Sequence, residues 1–373
     1  MTMQEAHKSP QRFLIASILP KELSNEEAFY KLKETSDLVK TYGGKVIDYV
    51  IQKREVHDKG LYLGAGKINE ISNLLSVKKI DAVILDDIVK PGHIFDIRKS
   101  FQHSNPRIEV WDRIDLILQI FSQQANTVES RLQIQLAAMK HMGPRIYGMG
   151  YVLSRQGGSI GTRGIGETNT ELMKRHWKKQ IKNIEKKLST LLKNRLQQIE
   201  RRRRLGICTV SIVGYTNAGK TSLFNKLTGK SAYVKDALFA TLDSRVGELR
   251  SDKSNEKILI SDTIGFINNL PASLIKAFNS TLLESIYSDL LIQVIDCHDD
   301  NMDIKIQTVD RIINQLSSKS KSSILVFNKA DLISKEKQNI IMEKYTTRSP
   351  IFISVKNGDL SCLIQSINEK VKK

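Results

Sequence analysis

The stretch Gly214-Tyr-Thr-Asn-Ala-Gly-Lys-Thr221 decides the fold, because it matches the phosphate-binding pattern G-x-x-x-x-G-K-[ST]. The apolar run Ile207–Val213 predicts a buried strand before it, and Ser222–Leu227 predicts the start of a helix after it. Glycines let backbone N–H groups surround an anion, and the helix dipole adds to the attraction. Lys220 supplies a charge for the outer phosphates and the Thr221 hydroxyl can ligate Mg²⁺, so we predict a nucleoside triphosphate site.

A second motif, Asn328-Lys329-Ala330-Asp331, follows the apolar run Ile324–Phe327 and therefore lies at the carboxyl end of a predicted strand. Open α/β sheets bind their ligands at that edge. A carboxylate there can accept hydrogen bonds from N1–H and the 2-amino group of guanine, a donor pair that adenine lacks. The motif therefore predicts GTP and GDP as ligands. The stretch Ser354-Val355-Lys356, after the strand Ile351–Ile353, should close over the base.

Between these motifs lies Asp262-Thr263-Ile264-Gly265, directly after the predicted strand Lys257–Ile260. We expect Asp262 to hold Mg²⁺ through water and the Gly265 N–H to contact the γ-phosphate. The stretch Phe239-Ala240-Thr241-Leu242-Asp243 occupies the place of a first switch. Thr241 is the predicted second protein ligand of Mg²⁺, and an ordinary loop threonine is the alternative interpretation.

The residue after Gly265 is Phe266, where Ras-like GTPases carry a glutamine that orients water. A phenyl ring neither accepts a proton nor orients water. Hydrolysis must therefore use another group, Mg²⁺ with the electrostatics of the phosphate loop, or a partner that orders the switches. A Phe266 that packs in the core is compatible with each of these. We expect slow turnover by the protein alone and faster turnover on a partner.

The candidate site residues all belong to these motifs. For GTP they are Gly214, Tyr215, Thr216, Asn217, Ala218, Gly219, Lys220, Thr221, Ser222, Phe239, Ala240, Thr241, Leu242, Asp243, Asp262, Thr263, Ile264, Gly265, Asn328, Lys329, Ala330, Asp331, Ser354, Val355 and Lys356. Lys220, Thr241 and Gly265 are the candidate catalytic residues. Thr221, Thr241 and Asp262 are the candidate ligands of Mg²⁺, the predicted cofactor.

The composition excludes several classes of protein. With 40% hydrophobic and 26% charged residues, the 373-residue chain is globular and has room for two or three domains. No apolar run reaches the roughly 20 residues of a membrane-spanning helix, and residues 1–11 lack the apolar stretch of a signal peptide. Three scattered cysteines form neither a disulfide framework nor a metal-binding spacing. We expect a cytoplasmic, monomeric protein without stable membrane insertion.

Positive charge is concentrated in one segment. Residues 174–204 hold thirteen Lys or Arg and two acidic residues, so +11 of the net charge of +18 lies there. Such a segment is typical of proteins that bind a polyanion. A solvated helix face is the alternative, but so few acids leave the like charges without i,i+4 pairing. We expect RNA contacts from Lys174, Arg175, Lys178, Lys179 and Lys182.

Two predicted helices, 122–142 and 168–204, carry apolar residues at heptad-like spacing and should pack antiparallel. Their connection, residues 143–166, contains eight glycines, with Arg155 and Arg163 interleaved. Long irregular connections are usually functional, so we predict a flexible cationic loop that contacts an RNA groove. A plain linker is the alternative.

The N-terminal part of the chain alternates between strands and helices. The predicted strands are Arg12–Leu19, Val46–Ile51, Ala82–Leu85 and Ile108–Trp111, and the predicted helices are Asn25–Tyr42, Lys67–Ser76 and Ile94–Phe101. This order is typical of an α/β domain with a mostly parallel sheet. The predicted fold class is therefore α/β, with a small N-terminal α/β domain (1–121), an antiparallel helical hairpin with a glycine-rich loop (122–204) and a C-terminal P-loop GTPase domain (205–373).

The chain resembles the HflX family of GTPases, a translation-factor-related class. The resemblance is carried by Tyr62-Leu-Gly-Ala-Gly-Lys67, by Trp111-Asp-Arg-Ile114, by the GTPase motifs and above all by residues 153–168. It implies a GTPase that binds the large ribosomal subunit and dissociates or rescues stalled ribosomes, with the helical hairpin directed toward the peptidyl-transferase region. A large-subunit assembly factor, whose GTP state only sets its affinity for RNA, remains the alternative. A membrane signalling GTPase is disfavoured, since the sequence has no lipid anchor or amphipathic insertion signal.

Overall fold

The structure is a computed structural model that describes residues 10–58, 60–156, 163–231, 238–239, 244–250, 257–268, 271, 274, 279–316, 321–358 and 360–371. Within 144–156 and 163–170 the backbone alone is described. The chain divides into two compact units. One comprises Met1–Gln123 and Ile134–Lys186, and the other comprises Gln124–Gln133 and Lys187–Lys373. Within the described residues each unit contains one sheet with mostly parallel strands, so the predicted α/β fold class is confirmed.

The N-terminal sheet has four parallel strands in the order β2-β1-β3-β4. Its elements are β1 (Arg12–Leu19), α1 (Asn25–Tyr42), β2 (Lys45–Lys53), α2 (Ala65–Val77), β3 (Ala82–Leu85), α3 (Pro91–Phe101), β4 (Glu109–Asp112) and α4 (Arg113–Gln124). The central strands β1 and β3 read as apolar runs because parallel strands of this kind are covered on both faces. Each strand and helix predicted before residue 112 is present, with ends shifted by no more than a few residues.

Two long helices follow, α5 (Val128–Gln156) and α6 (Arg163–Arg204). In the first unit, Trp177 Nε1 donates to the carbonyl oxygen of Met139 at 3.0 Å, and Lys140 pairs with Glu185 at 2.7 Å. In the second unit, Glu129 of α5 pairs with Arg195 of α6 at 3.3 Å. Early residues of α5 therefore meet late residues of α6, and the two helices run antiparallel as predicted.

Two predictions about this hairpin are wrong. The first helix does not begin near residue 122: α4 ends at Gln124, and Thr127 starts α5 by accepting the N–H of Ser130 at its Oγ1, 3.1 Å away. The segment 143–166 is not one long loop, because residues up to Gln156 belong to α5 and those from Arg163 belong to α6. Residues 157–162 lie outside the described part. Each helical glycine costs about 1 kcal/mol relative to alanine, which weakens a helix without ending it.

The second sheet has six strands in the order β10-β9-β8-β5-β7-β6, and only the edge strand β6 is antiparallel to its neighbour. Its elements are β5 (Cys208–Gly214), α7 (Lys220–Thr228), β6 (Arg245–Glu248), β7 (Ile258–Asp262), α8 (Asn279–Tyr287), β8 (Leu290–Asp296), α9 (Met302–Leu316), β9 (Ser323–Asn328), α10 (Lys335–Lys344), β10 (Ile351–Phe352) and α11 (Ser361–Val371). All parallel strands end at one edge, and the predicted nucleotide motifs follow β5, β7, β9 and β10 there. Among the described helices, none combines the length and apolarity needed to cross a membrane.

Candidate functional site

The loop between β5 and α7 requires glycine at two positions. Gly219 has φ +94°, and a Cβ there would lie 2.2 Å from Asn328 Nδ2. A Cβ on Gly214 would lie 2.3 Å from the carbonyl oxygen of Val294 on β8. Any larger side chain would collide at both positions. The loop therefore lies close against its neighbours and ends at the N-terminus of α7, where the helix dipole favours an anion.

Lys220 is the first residue of α7, and its side chain is buried. Its Nζ donates a hydrogen bond to the carbonyl oxygen of Tyr215 at 2.6 Å. Burial lowers the pKa of Lys220 to about 8, although the nearby carboxylate of Asp262 acts in the opposite direction. A phosphate brought next to this nitrogen would favour the ammonium form, because an opposite charge counteracts desolvation.

Thr221 and Asp262 bring together two oxygen atoms that can ligate a metal, beside Lys220. The Thr221 hydroxyl donates to Asp262 Oδ2 at 2.8 Å, and Asp262 is completely buried at the end of β7. Hydroxyl and carboxylate oxygens are the ligands that Mg²⁺ prefers, directly or through water. The chemistry of this pair therefore fits a magnesium ion.

The segment after β7 runs beside the phosphate loop. The Phe266 N–H donates to the carbonyl oxygen of Gly214 at 3.1 Å, and the Thr216 N–H donates to the carbonyl oxygen of Phe266 at 2.8 Å. The Phe266 ring is buried at 1% exposure, so it packs in the core. A Cβ on Gly265 would lie 2.9 Å from Lys220 Nζ, which puts this backbone directly beside the lysine.

Residues of the Asn328–Asp331 motif contact the phosphate loop, the segment after β10 and strand β8. Asn328 Nδ2 donates to the carbonyl oxygen of Ala218 at 2.9 Å, and its Oδ1 accepts the N–H of Val355 at 3.2 Å. Lys329 adopts φ +63° and pairs with Asp296 of β8 at 2.6 Å. Asp331 is exposed, and a hydrogen bond from Ser354 lowers its pKa, so this carboxylate is ionised at neutral pH.

One cavity of about 1120 Å³ joins these groups. Most of the predicted nucleotide residues that the structure describes line it; Gly214, Tyr215, Ala218, Asp262, Ile264 and Ala330 do not. Phe239 lines it with φ +57°, whereas Ala240, Thr241, Leu242 and Asp243 lie outside the described residues.

Sequence reasoning missed part of this cavity. Asn225, Lys226, Gly229 and Lys230 also line it, on or directly after α7. Together with Ser222 they recur every three or four residues, which puts them on one face of the helix. That spacing was readable from the sequence and would have extended the site along α7.

All candidate RNA-binding residues except Arg155 lie on α6. Lys174, Arg175, Lys178, Lys179 and Lys182 are all exposed. Arg155 belongs to α5 and Arg163 begins α6, and their side chains are outside the described part.

Two arginines of the basic segment make contacts inside the second unit that the sequence did not predict. Arg195 Nε lies 3.6 Å from Glu284 Oε1, and Arg202 pairs with the same carboxylate at 3.2 Å. Arg195 also donates to the hydroxyl of Ser244, the residue before β6. Glu284 is buried on α8, so part of the charge of α6 is neutralised at this point. No local pattern links residues so far apart in sequence.

Comparisons with known proteins agree on one family. Models described as "GTP-binding GTPase N-terminal", "GTP-binding GTPase Middle Region" and "50S ribosome-binding GTPase" match residues 30–122, 124–202 and 209–329. The GTPase HflX of Caldanaerobacter subterraneus is 39% identical, over 100% of this chain and 83% of its own length. The Escherichia coli GTPase HflX is 32% identical, over 91% of this chain and 79% of its own length.

A solved structure extends the comparison. The complex of SsGBP with GDP is 26% identical, covers 97% of this chain and 98% of its own, and has a TM-score of 0.52. Similarity of this extent runs through both units as well as through the nucleotide motifs. The chain therefore belongs to the HflX family of GTPases, and it binds GTP and hydrolyses it.

Proposed function

We propose that this GTPase binds the large ribosomal subunit, contacts its RNA through α6, and dissociates or rescues stalled ribosomes in its GTP state. The observation that carries the proposal is the exposed row formed by Lys174, Arg175, Lys178, Lys179 and Lys182. At 100° per residue, these five positions fall within an arc of about 140° on the helix. The match of residues 209–329 to a model described as a 50S ribosome-binding GTPase supports the same partner.

The opposite face of α6 supports this interpretation. Trp177 donates to the backbone of Met139 on α5, and Ile184 is buried. Because the apolar face is used against α5, the cationic face is directed away from that contact. Rows of Lys and Arg bind nucleic acid by releasing counterions from phosphates. We propose that Arg155 and Arg163, at the ends of the two helices, extend this surface.

At the nucleotide we propose roles for individual groups. Lys220 neutralises charge on the outer phosphates, and the Gly265 N–H contacts the γ-phosphate. Thr221 and Thr241 would hold Mg²⁺ directly, and Asp262 would hold it through water. When bound, Mg²⁺ supplies charge neutralisation for the phosphates. The oxygen pair of Thr221 and Asp262 supports this assignment.

The three segments 1–121, 122–204 and 205–373 would serve as an N-terminal domain, an RNA-contacting hairpin and the GTPase domain. Because Phe266 is buried, its ring is no candidate for orienting water. We propose that the ribosome orders the switches and accelerates hydrolysis. This role requires a cytoplasmic protein, and a single copy contains all the residues invoked.

The experiment that tests this function incubates intact ribosomes with the protein and GTP, or with a non-hydrolysable analogue, and sediments the mixture. We expect ribosomes to separate into subunits and the protein to sediment with the large subunit. The alternative, an assembly factor that uses GTP only to set its RNA affinity, predicts binding to isolated large subunits without separation of intact ribosomes.

A pair of matched variants connects the result to α6. Lys178→Glu with Lys182→Glu reverses two charges of the proposed surface, and should abolish cosedimentation while intrinsic GTP hydrolysis stays within about twofold. Arg311→Glu with Lys335→Glu changes the net charge equally at exposed positions of α9 and α10, and should bind like wild type. Equal losses in both variants would contradict a specific role of α6.

A further inference from the structure

Tyr215 is the second residue of the phosphate loop. It contacts both Lys220 and the segment that follows Gly265. It is buried at 6% exposure. Its carbonyl oxygen accepts the Nζ of Lys220 at 2.6 Å. Its hydroxyl oxygen accepts the backbone N–H of Asn268 at 2.6 Å. One side chain of the phosphate loop therefore reaches the segment that follows Gly265.

That segment is attached to β5 before Gly265 and to the phosphate loop after it. Before it, the Thr263 hydroxyl donates to the carbonyl oxygen of Ile212 at 2.7 Å. After it, Phe266 exchanges backbone hydrogen bonds with the residues on either side of Tyr215, in a parallel bridge. The Tyr215 hydroxyl adds an attachment two residues further along the chain. Without it, the segment beyond Phe266 would lose the acceptor for the Asn268 N–H.

Helix α9 orients both partners of this hydrogen bond. Lys305 Nζ lies 4.8 Å from the centre of the Tyr215 ring, a distance at which a cation is attracted to an aromatic face. Lys305 is in turn paired with Asp299. The hydroxyl of Thr308 lies 2.9 Å from Asn268 Oδ1. The phenol and the residue that it binds are thus fixed from the same helix.

We propose that the Tyr215 hydroxyl is a positioning group for GTP hydrolysis, because it holds residues 265–268 in the register that aims the Gly265 N–H at the γ-phosphate. A backbone donor contributes to catalysis only if it is fixed before the reaction. Loss of the hydroxyl leaves the ring in the core but removes one of the hydrogen bonds that hold the end of the segment. The inference rests on the γ-phosphate role proposed for Gly265, and it does not depend on ribosome binding.

The test is the variant Tyr215→Phe, which removes one oxygen atom and keeps the ring. We expect kcat for GTP hydrolysis to fall on the order of fivefold, the effect of one neutral hydrogen bond, while the affinity for GDP stays within about twofold. The affinity for a non-hydrolysable GTP analogue should fall relative to that for GDP. A general loss of loop structure would instead weaken both nucleotides equally.

A second pair of variants approaches the same hydrogen bond from α9. Thr308→Val removes the hydroxyl beside Asn268 and should lower kcat in the same direction, whereas Thr308→Ser keeps a hydroxyl and should restore it. Tyr49→Phe is the matched control, because the Tyr49 hydroxyl also makes one hydrogen bond, 2.9 Å from Ser36 Oγ, in the N-terminal unit. Its kcat should equal that of wild type.

The outcomes separate this inference from the assignment on which it rests. If Gly265→Pro, which removes the N–H, loses hydrolysis while Tyr215→Phe retains the wild-type kcat, the hydroxyl has no positioning role and the inference is overturned. If Gly265→Pro itself hydrolyses GTP like wild type, the proposed role of the Gly265 N–H fails first. A fall in GDP affinity as large as the fall in kcat would also overturn the inference, since it would show a structural role only.

Discussion

Asn328 shows how much of the site depends on a single buried amide. It is 3% exposed, and its two side-chain polar atoms are bonded to the phosphate loop at Ala218 and to the base-side loop at Val355. Its own carbonyl oxygen accepts the N–H of Cys297 at 3.1 Å after β8. The phosphate loop and the loop after β10 are therefore joined by one residue. Asp331, the predicted acceptor for guanine, is exposed nearby in the chain.

At Asp331, base specificity is open to a direct test. Asp331→Asn should lower GTP affinity on the order of a hundredfold, because an amide cannot accept both guanine donors, and it should favour xanthine nucleotides. Titrations with GDP and xanthosine diphosphate measure the change. Asp300→Asn is the control, since Asp300 is 91% exposed and pairs with Lys337 outside the cavity lining. Unchanged GTP affinity in Asp331→Asn would contradict the guanine assignment.

Lys220 should make nucleotide affinity depend on pH. Its pKa is lowered to about 8 without ligand, whereas bound phosphate favours the ammonium form. Binding therefore takes up a proton above pH 8. The GDP affinity should be constant between about pH 7 and 8 and fall by up to tenfold per further pH unit. Calorimetry in two buffers with different ionisation enthalpies counts the proton. A flat profile above pH 8, or no buffer dependence, would contradict this assignment.

At the scale of elements, α5 departs most from the prediction. The strands of the nucleotide sheet are short apolar runs bounded by turn residues, so their positions could be predicted; β9 was expected at Ile324–Phe327 and extends from Ser323 to Asn328. The glycines of residues 143–156 suggested a loop, because each lowers local helix propensity. They do not outweigh the helix that Thr127 starts. The pairing of Glu284 with Arg195 and Arg202 depends on distant segments and left no local signal.

The helical assignment of residues 143–156 makes a prediction of its own. If residues 148 and 150 are helical, Gly148→Ala and Gly150→Ala should each raise the stability of the protein by about 0.5–1 kcal/mol. If they were loop glycines with positive φ, the same substitutions would lower it. Circular dichroism at 222 nm and thermal unfolding measure the effect. Gly66→Ala is the reference, since this glycine lies in α2 with open space around its Cβ position. A lower unfolding temperature in both hairpin variants, with a higher one in the reference, would restore the loop interpretation.

At the scale of the whole molecule, the positive charge of α6 divides into an exposed row and a pair of arginines bound to a carboxylate. Residues 174–204 carry +11 of the net +18. The cations from Lys174 to Lys182 are exposed, whereas Arg195 and Arg202 are directed to the buried carboxylate of Glu284. One helix therefore carries both an exposed row of cations, which is the proposed RNA surface, and an attachment within the second unit. Binding of a polyanion to the exposed row should weaken steeply with salt. The partly buried ion pairs at Glu284 should be screened by salt much less.

Glu284→Gln tests the attachment. The amide keeps the size of the side chain but leaves two partly buried arginines without their carboxylate, so the free energy of unfolding should fall by about 2 kcal/mol. Denaturant titration measures it. Glu185→Gln is the matched control, because Glu185 makes an exposed ion pair with Lys140 and should cost less than about 0.5 kcal/mol. If the two variants had equal free energies of unfolding, the predicted contribution of Glu284 to stability would be wrong.

The attachment at Glu284 has a mechanical consequence. At 1.5 Å per residue, the 42 residues of α6 span about 63 Å. Arg195 and Arg202 are seven residues apart, which puts them on one face of α6 about 10 Å apart along its axis. Because both reach the same carboxylate, Glu284 fixes the rotation of this part of the helix about its own axis within the second unit.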